Sequence, residues 1–267
     1  MHENSRGQVT SSAAEAYDTF FVPALFAEWA PRAADAAHLI AGQKVLDVAC
    51  GTGVFAREAL LRVVPNGSVT GLDCNEDMLT VARRAEPGID WQLGLAEALP
   101  FADKSFDVVA CQFGLMFFED RRSALEQMWR VLRPGGRLVV AVWDAVERTP
   151  GYASMTGLLQ RLFGAEIANE LRAPFVLGDP EQLLTLFNDA GIADIELNTI
   201  VGSARFPSIE DWVHTDVKGW TLADRIDDAQ YDVLRSEAET ALARYQQADD
   251  QVVFDSPAHI VLARKNC

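Results

Sequence analysis

The stretch VLDVACGTGVFA, residues 45–56, leads an apolar run into Gly51-x-Gly53-x-x-Ala56, and Asp73 ends the next apolar run about twenty residues on. Glycines without a Cβ let backbone N–H groups approach a ligand, and a carboxylate at that distance can accept both hydroxyls of a ribose. The implied chemistry is the capture of a nucleoside-bearing cofactor. A second carboxylate, Asp47, stands four residues before Gly51. So close to the turn, it disfavours a pyrophosphate and favours a cationic group. A nicotinamide dinucleotide, whose fingerprint the glycines also satisfy, is therefore the second reading.

The other reactive residue types say less. Of the four histidines, His2 opens the chain, His38 falls in a helix facing the domain, and His259 sits in the last strand as a structural residue. His214, between Trp212 and Trp220, is the one worth testing as a catalytic group; no base is assigned. Cys50, Cys74 and Cys111 each end a predicted strand, so three thiols are expected to ring the ligand site as small apolar groups. With Cys267 they show no C-x-x-C spacing, and no metal site or disulfide framework is expected.

These residues must be held by an alternation of strands and helices. KVLDVAC, SVTGLDC, IDWQLGL, FDVVACQFG and GRLVVAVW read as five strands, and GVFAREALLRV, EDMLTVARRA and DRRSALEQMWRVL as helices among them. Short continuous runs of Val, Leu and Ala mark strands covered on both faces. IADIELNTIVGSARF and AHIVLARK add two more, giving an α/β fold with a doubly wound, mostly parallel, seven-stranded sheet. DPEQLLTLFNDAG is a helix with Asp179 as N-cap, Pro180 at its first position and Gly191 past its end.

Residues 1–42 form a helical arm, with Ser11 or Ser12 as N-cap, Pro23 in the first turn of a second short helix and Pro31 starting a third that ends at Gly42. Residues 43–145 are the cofactor-binding core of a single domain, 1–267. The helical patterns at 146–178 and 206–248 are insertions at the sheet edge, read as a substrate lid.

Four motifs in register make the chain recognisable. VLDVACGTG, GLDCNEDMLTVAR, LAEALPFADKSFDVV and QMWRVLRPGGRLVV resemble, in order and spacing, the class I S-adenosylmethionine (SAM) dependent methyltransferases, in the branch of the ubiquinone/menaquinone biosynthesis enzymes. The resemblance covers residues 13–145 and, more weakly, the last strand. It implies a Rossmann-like methyltransferase fold with SAM as cofactor. It places Gly51 and Gly53 under the methionine portion, Asp73 on the ribose, Cys74 and Met78 beside adenine, and Gln112 at the methionyl end, with Asp47, Ala49 and Cys50 also in the cofactor site. The family usually has Asp where this chain has Leu95, so either Ala96 or Glu97 takes over adenine recognition or the cofactor is held more weakly, by about 1 kcal/mol.

Methyl transfer from a sulfonium needs alignment and a dry pocket, which aromatic faces supply better than a carboxylate. Tyr17, Phe20, Phe113 and Phe117 are available, and Tyr17 is the preferred group for closing over the methyl. The formal net charge is −16, and residues 208–255 hold twelve Asp/Glu against four Lys/Arg. Such a surface repels phosphate backbones and anionic lipid, so nucleic acid is excluded as substrate. No run reaches a membrane span and the N-terminus lacks a signal pattern, so a cytoplasmic protein is expected. The expected function is methylation of a small, largely apolar, quinone-like or natural-product acceptor. A nicotinamide-dependent oxidoreductase and a catalytically silent SAM-binding protein are the alternatives.

Overall fold

The computed structural model describes residues 11–218 and 221–266, so His2, Trp220 and Cys267 lie outside the described residues. The strands are β1 (Lys44–Val48), β2 (Ser68–Asp73), β3 (Asp90–Leu93), β4 (Phe106–Gln112), β5 (Leu132–Trp143), β6 (Ile195–Phe206) and β7 (Val252–Arg264). They form one sheet in the order β3-β2-β1-β4-β5-β7-β6. The first five are parallel, and β7 runs antiparallel between β5 and β6. The sheet is the doubly wound, mostly parallel, seven-stranded one the alternation predicts. β1 and β4 are buried almost throughout, the mark of strands covered on both faces. The chain order reverses between β1 and β4, and that reversal opens a crevice at their carboxyl ends.

Local signals set the helices of the core. Among them, α3 (Val54–Val63) follows the glycine turn, and α4 (Glu76–Ala85) starts where the Asn75 side chain accepts from the N–H groups of Asp77 and Met78, at 2.9 and 3.3 Å. α5 (Arg121–Val131) is capped in the same way by Asp120. Asp179 caps the helix Pro180–Asp189, and Gly191 follows it at φ +73°, as its sequence predicts.

The arm departs from expectation. α1 (Ser11–Ala16) runs directly into a wider, π-type turn, Tyr17–Phe26, in which Pro23 is internal instead of starting a new helix. The Ala27 N–H reaches back five residues to the Val22 carbonyl at 2.8 Å. Proline cannot donate a hydrogen bond, and the wider turn carries the chain past it while directing Phe21, Leu25 and Phe26 inward. α2 (Trp29–Ala36) holds Pro31 in its first turn but stops well before Gly42. His38, at φ +47°, ends it and is exposed, not turned toward the domain.

β7 is longer than AHIVLARK suggested. Residues 252–257, which precede that stretch, pair with β6 and carry Phe254 beneath the inserted helices. Those are α6 (Pro150–Phe163), α7 (Ala165–Arg172), α9 (Ile209–Lys218) and α10 (Asp228–Ala241), with α8 being Pro180–Asp189. Their shared core is aromatic: Phe254 lies 4.7 Å from Trp212 and 5.6 Å from both Tyr152 and Tyr245, centroid to centroid. Segments 146–178 and 206–248 thus pack together over the carboxyl ends of β4 and β5. Among the described residues no helix is long and apolar enough to cross a membrane.

Candidate functional site

The turn after β1 is built from left-handed residues: Ala49, Gly51 and Gly53 have φ of +57°, +53° and +86°. Asp73 ties it to the end of β2, its Oδ2 accepting from the Gly51 N–H at 2.8 Å and its Oδ1 from the Asn75 N–H at 2.9 Å. With the Cys74 N–H drawing on the same carboxylate, at least one of its lone pairs remains for a further donor. Gly53 is held from below, because a Cβ there would run into the Trp91 indole, as would one at Gly71. Trp91 is anchored in turn by its own N–H to the Glu86 carbonyl at 2.9 Å. Gly53 therefore serves the turn and the fit of Trp91 and is not among the residues lining either hollow.

Two hollows flank the turn and share Ala49. The first, enclosing about 350 Å³, is lined by Tyr17, Phe26, Asp47, Ala49, Cys50 and Gly51, with Gln112 and Phe113 from the end of β4. The Tyr17 ring lies over the turn, its Cε1 3.8 Å from the position a Gly51 Cβ would take. Asp47 is only 1% exposed, and its Oδ2 has no hydrogen-bond partner. Burial lifts its carboxyl well above the usual range; the Ala56 N–H and Arg57 oppose the rise, and Asp73 adds to it. The Gln112 amide donates to the Phe26 carbonyl at 3.4 Å and leaves its own oxygen unpartnered. This hollow thus offers two orphaned acceptors, one of them ionisable, and is short of a cation.

The second hollow, enclosing about 610 Å³, is lined by Leu72, Asp73, Cys74, Gly94, Leu95, Ala96 and Glu97 on one side and Phe117, Phe118 and Glu119 on the other. Asp73 is held above the usual carboxylate range by burial, against the pull of the Gly51, Asn75 and Cys74 N–H groups. Leu95 is 57% exposed and presents an apolar wall where the family pattern has a carboxylate.

A third cavity, of about 470 Å³, shares Phe26 and Phe113 with the first hollow and Phe117 with the second. Its floor comes from strand ends, where Phe113 stacks on Trp143 at 3.9 Å and 16°. The arm supplies Phe21 and Leu25; the insertions supply Tyr152, Leu171, Pro174, Phe175 and Asp216. Among the described residues Asp216 is the one carboxylate in this wall.

Several expected site residues lie elsewhere. Met78 packs with Ala14 and Val81, with Tyr17 against them, and lines neither hollow. Cys111 is fully buried beneath the sheet surface, because Gln112 faces the cleft and side chains alternate along a strand. Two thiols, Cys50 and Cys74, border the site instead of three. Burial pushes the Cys111 thiol up to about 12 and raises that of Cys50 as well. His214 lines a separate surface hollow with Phe20 and Tyr231, its Nδ1 3.4 Å from the Tyr231 hydroxyl. His259 is structural: Nδ1 pairs with the Thr199 hydroxyl at 2.8 Å and Nε2 with the Gly178 carbonyl at 3.0 Å. Tyr17, Asp47, Ala49, Cys50, Gly51, Asp73, Cys74, Ala96, Glu97 and Gln112 do come together. Among the described residues no group of three His, Cys, Asp or Glu could hold a metal ion.

Trp91, Tyr152 and Asp216 were not singled out from the sequence. Asp216 had a signal: with Ile209, Trp212, Val213 and Val217 it falls on the buried stripe of α9, where an acid is out of place.

A family model described as a methyltransferase domain matches residues 46–140. The demethylmenaquinone methyltransferase of Renibacterium salmoninarum is 42% identical over 144 residues, 53% of this chain and 58% of that one. The ubiquinone/menaquinone biosynthesis C-methyltransferase of Chromobacterium violaceum is 35% identical over 175 residues, 61% of this chain and 72% of that one. The chain spans 38% of the length of the Chlorobaculum parvum demethylmenaquinone methyltransferase that it matches. Among solved structures, Haemonchus contortus phosphoethanolamine N-methyltransferase 2 in complex with S-adenosyl-L-methionine superposes with a TM-score of 0.63 at 19% identity, covering 98% of this chain and 59% of that one. That likeness shows the fold.

Proposed function

This chain belongs to the class I SAM-dependent methyltransferases, in the branch of the ubiquinone/menaquinone biosynthesis enzymes, and from that premise we propose that it methylates a small, largely apolar acceptor of quinone or hydroquinone type. The observation that carries the reading is the pair of orphaned acceptors, Asp47 Oδ2 and Gln112 Oε1, in the hollow beside Gly51. An α-ammonium group brings the donors and the positive charge that these two lack. Residues and cofactor therefore fit, and the same carboxylate would repel a pyrophosphate.

On this reading Asp47 and Gln112 hold the amino-acid end, Gly51 gives it close backbone approach, and Asp73 accepts from the ribose hydroxyls with its remaining lone-pair capacity. Cys74, Leu95, Ala96 and Glu97 enclose the base. Leu95 supplies apolar contact in place of a hydrogen bond, and recognition of the base passes to the backbone at Ala96 and to Glu97. When bound, SAM supplies an electrophilic methyl group. Tyr17, whose hydroxyl is held protonated by burial and by the charges of Asp73, Asp18 and Asp47, covers the turn as a neutral ring. Phe26 and Phe113, common to this hollow and the ring-lined cavity, form the wall at which methyl donor and acceptor meet. The aromatic cavity suits a flat apolar acceptor and keeps water from the reacting atoms. Segments 146–178 and 206–248, which complete it, act as the lid.

Titration calorimetry with S-adenosylhomocysteine tests the cofactor half. Micromolar binding by the wild type, weakened at least about tenfold in Asp73→Ala, is expected. Absence of binding by the wild type refutes it. Transfer of labelled methyl to a panel of phenols and naphthohydroquinones tests the acceptor half, and binding without turnover on any member would identify a silent SAM-binding protein.

A further inference from the structure

We propose that Asp216 is the general base of this methyl transfer, its unpartnered Oδ2 taking the hydroxyl proton of a phenolic or hydroquinone acceptor seated in the ring-lined cavity; the inference rests on the reading above. Asp216 is 2% exposed, lines the cavity, and leaves Oδ2 without a hydrogen-bond partner. Its Oδ1 accepts from the Tyr152 hydroxyl at 3.2 Å. The pair comes from two separate insertions, α6 and α9, brought together over the ends of the parallel strands. A structural carboxylate in such a place would have both oxygens satisfied. This one has a single oxygen anchored by a donor and the other buried without a partner at the wall of an otherwise apolar chamber.

The surroundings also tune it. Burial pushes Asp216 up to about 7, against the pull of the Tyr152 hydroxyl and of the Trp212 indole N–H, which approaches it outside hydrogen-bond geometry. A base poised there changes protonation near neutral pH, where a proton acceptor is most useful. Among the described residues no other wall of the cavity carries a titratable group except Tyr152: the arm offers Phe21, Leu25 and Phe26, and the strand ends offer Phe113, Phe117 and Trp143. On exposed faces of the neighbouring segments, Arg235 pairs with Glu210 and Arg225 with Glu166.

In the step itself, the acceptor O–H bond breaks and its proton forms a bond to Oδ2. The electron pair left on oxygen, shared with the conjugated ring carbons, makes the new bond to the methyl group. The donor's C–S bond breaks at the same time, and its pair stays on sulfur. Asp216 then returns the proton to solvent when the cavity opens.

The experiment is a pH profile of kcat with SAM saturating, so that titration of Asp47 is confined to cofactor binding, on a 1,4-dihydroxynaphthalene acceptor. The wild type is expected to show activity rising through a limb near pH 7. Asp216→Asn should lose about 10²- to 10⁴-fold in kcat and lack the limb, while binding S-adenosylhomocysteine within about twofold of wild type. Tyr152→Phe removes the donor that favours the ionised form, so its limb should move to higher pH, a change that loss of packing alone would not produce. A kcat for Asp216→Asn within about threefold of wild type overturns the assignment. So does a wild-type profile without the limb, or a limb that Tyr152→Phe leaves in place; these two decide the matter if Asp216→Asn does not fold. Wild-type turnover of amine acceptors alone overturns the hydroxyl base and leaves methyl transfer standing. Wild-type binding of S-adenosylhomocysteine with no turnover of any acceptor overturns the methyl-transfer reading and the base with it.

Discussion

Replacing Asp47 with Asn should move cofactor affinity and protein stability in opposite directions. In the wild type Oδ2 is buried and unpartnered, and desolvation, more than any neighbour, holds the carboxyl above its usual range. An incoming ammonium supplies the missing counter-charge. A hydrogen bond to a charged partner is worth about 1.5 to 3 kcal/mol, so the amide should weaken binding of S-adenosylhomocysteine by about 10- to 150-fold. The unliganded protein should respond the other way. A carboxyl with a raised folded-state pKa keeps the folded form favoured at low pH and works against it as pH rises from the unfolded value of 3.8 through the folded one. Asn carries no such penalty. Its unfolding free energy should match wild type in acid and exceed it at neutral pH. Calorimetric titration gives the first quantity, and urea melts at several pH values give the second. The same linkage makes wild-type affinity fall in acid, since the protonated carboxyl meets the ammonium without charge. Affinity within threefold of wild type, or a variant less stable than wild type at neutral pH, would refute the reasoning.

Gly53→Ala should destabilise the protein by about 2 to 5 kcal/mol in denaturant melts, because the new methyl enters the Trp91 ring at a residue with φ of +86°. Trp91→Leu in the same chain should recover part of that loss; a loss unchanged by Trp91→Leu would point to the turn alone. Mass-spectrometric alkylation should modify Cys74, which is exposed beside Asp73, and saturating S-adenosylhomocysteine should slow it. Cys111 should resist with or without ligand, being fully buried with its thiol pushed up to about 12. Alkylation of Cys74 at the same rate in both states would move the nucleoside out of that hollow.

What the sequence determined by itself is what depends on near neighbours. The glycine turn, the caps at Asn75, Asp120 and Asp179, and the strand ends bearing Asp47 and Asp73 follow from backbone conformation and from residues a few positions apart. Those features position the cofactor half of the site, and the family's motifs lie in the same segments. Reading the period of β4 would also have put Cys111 and Gln112 on opposite faces. Distance along the chain is where such reading stops. Nothing local marks Trp91 as the partner of Gly53, or tells that Met78 turns toward Ala14, because α1 and β3 reach those places only through packing. Residues 252–257, outside the stretch AHIVLARK, join the strand because β6 supplies the other half of their hydrogen bonds. The ring-lined cavity was settled only by tertiary structure. Tyr152 and Asp216 stand 64 residues apart, on insertions with no shared pattern, and a buried carboxylate acquires its neighbour, its missing partner and its raised affinity for a proton only when two helices close over the same strand ends.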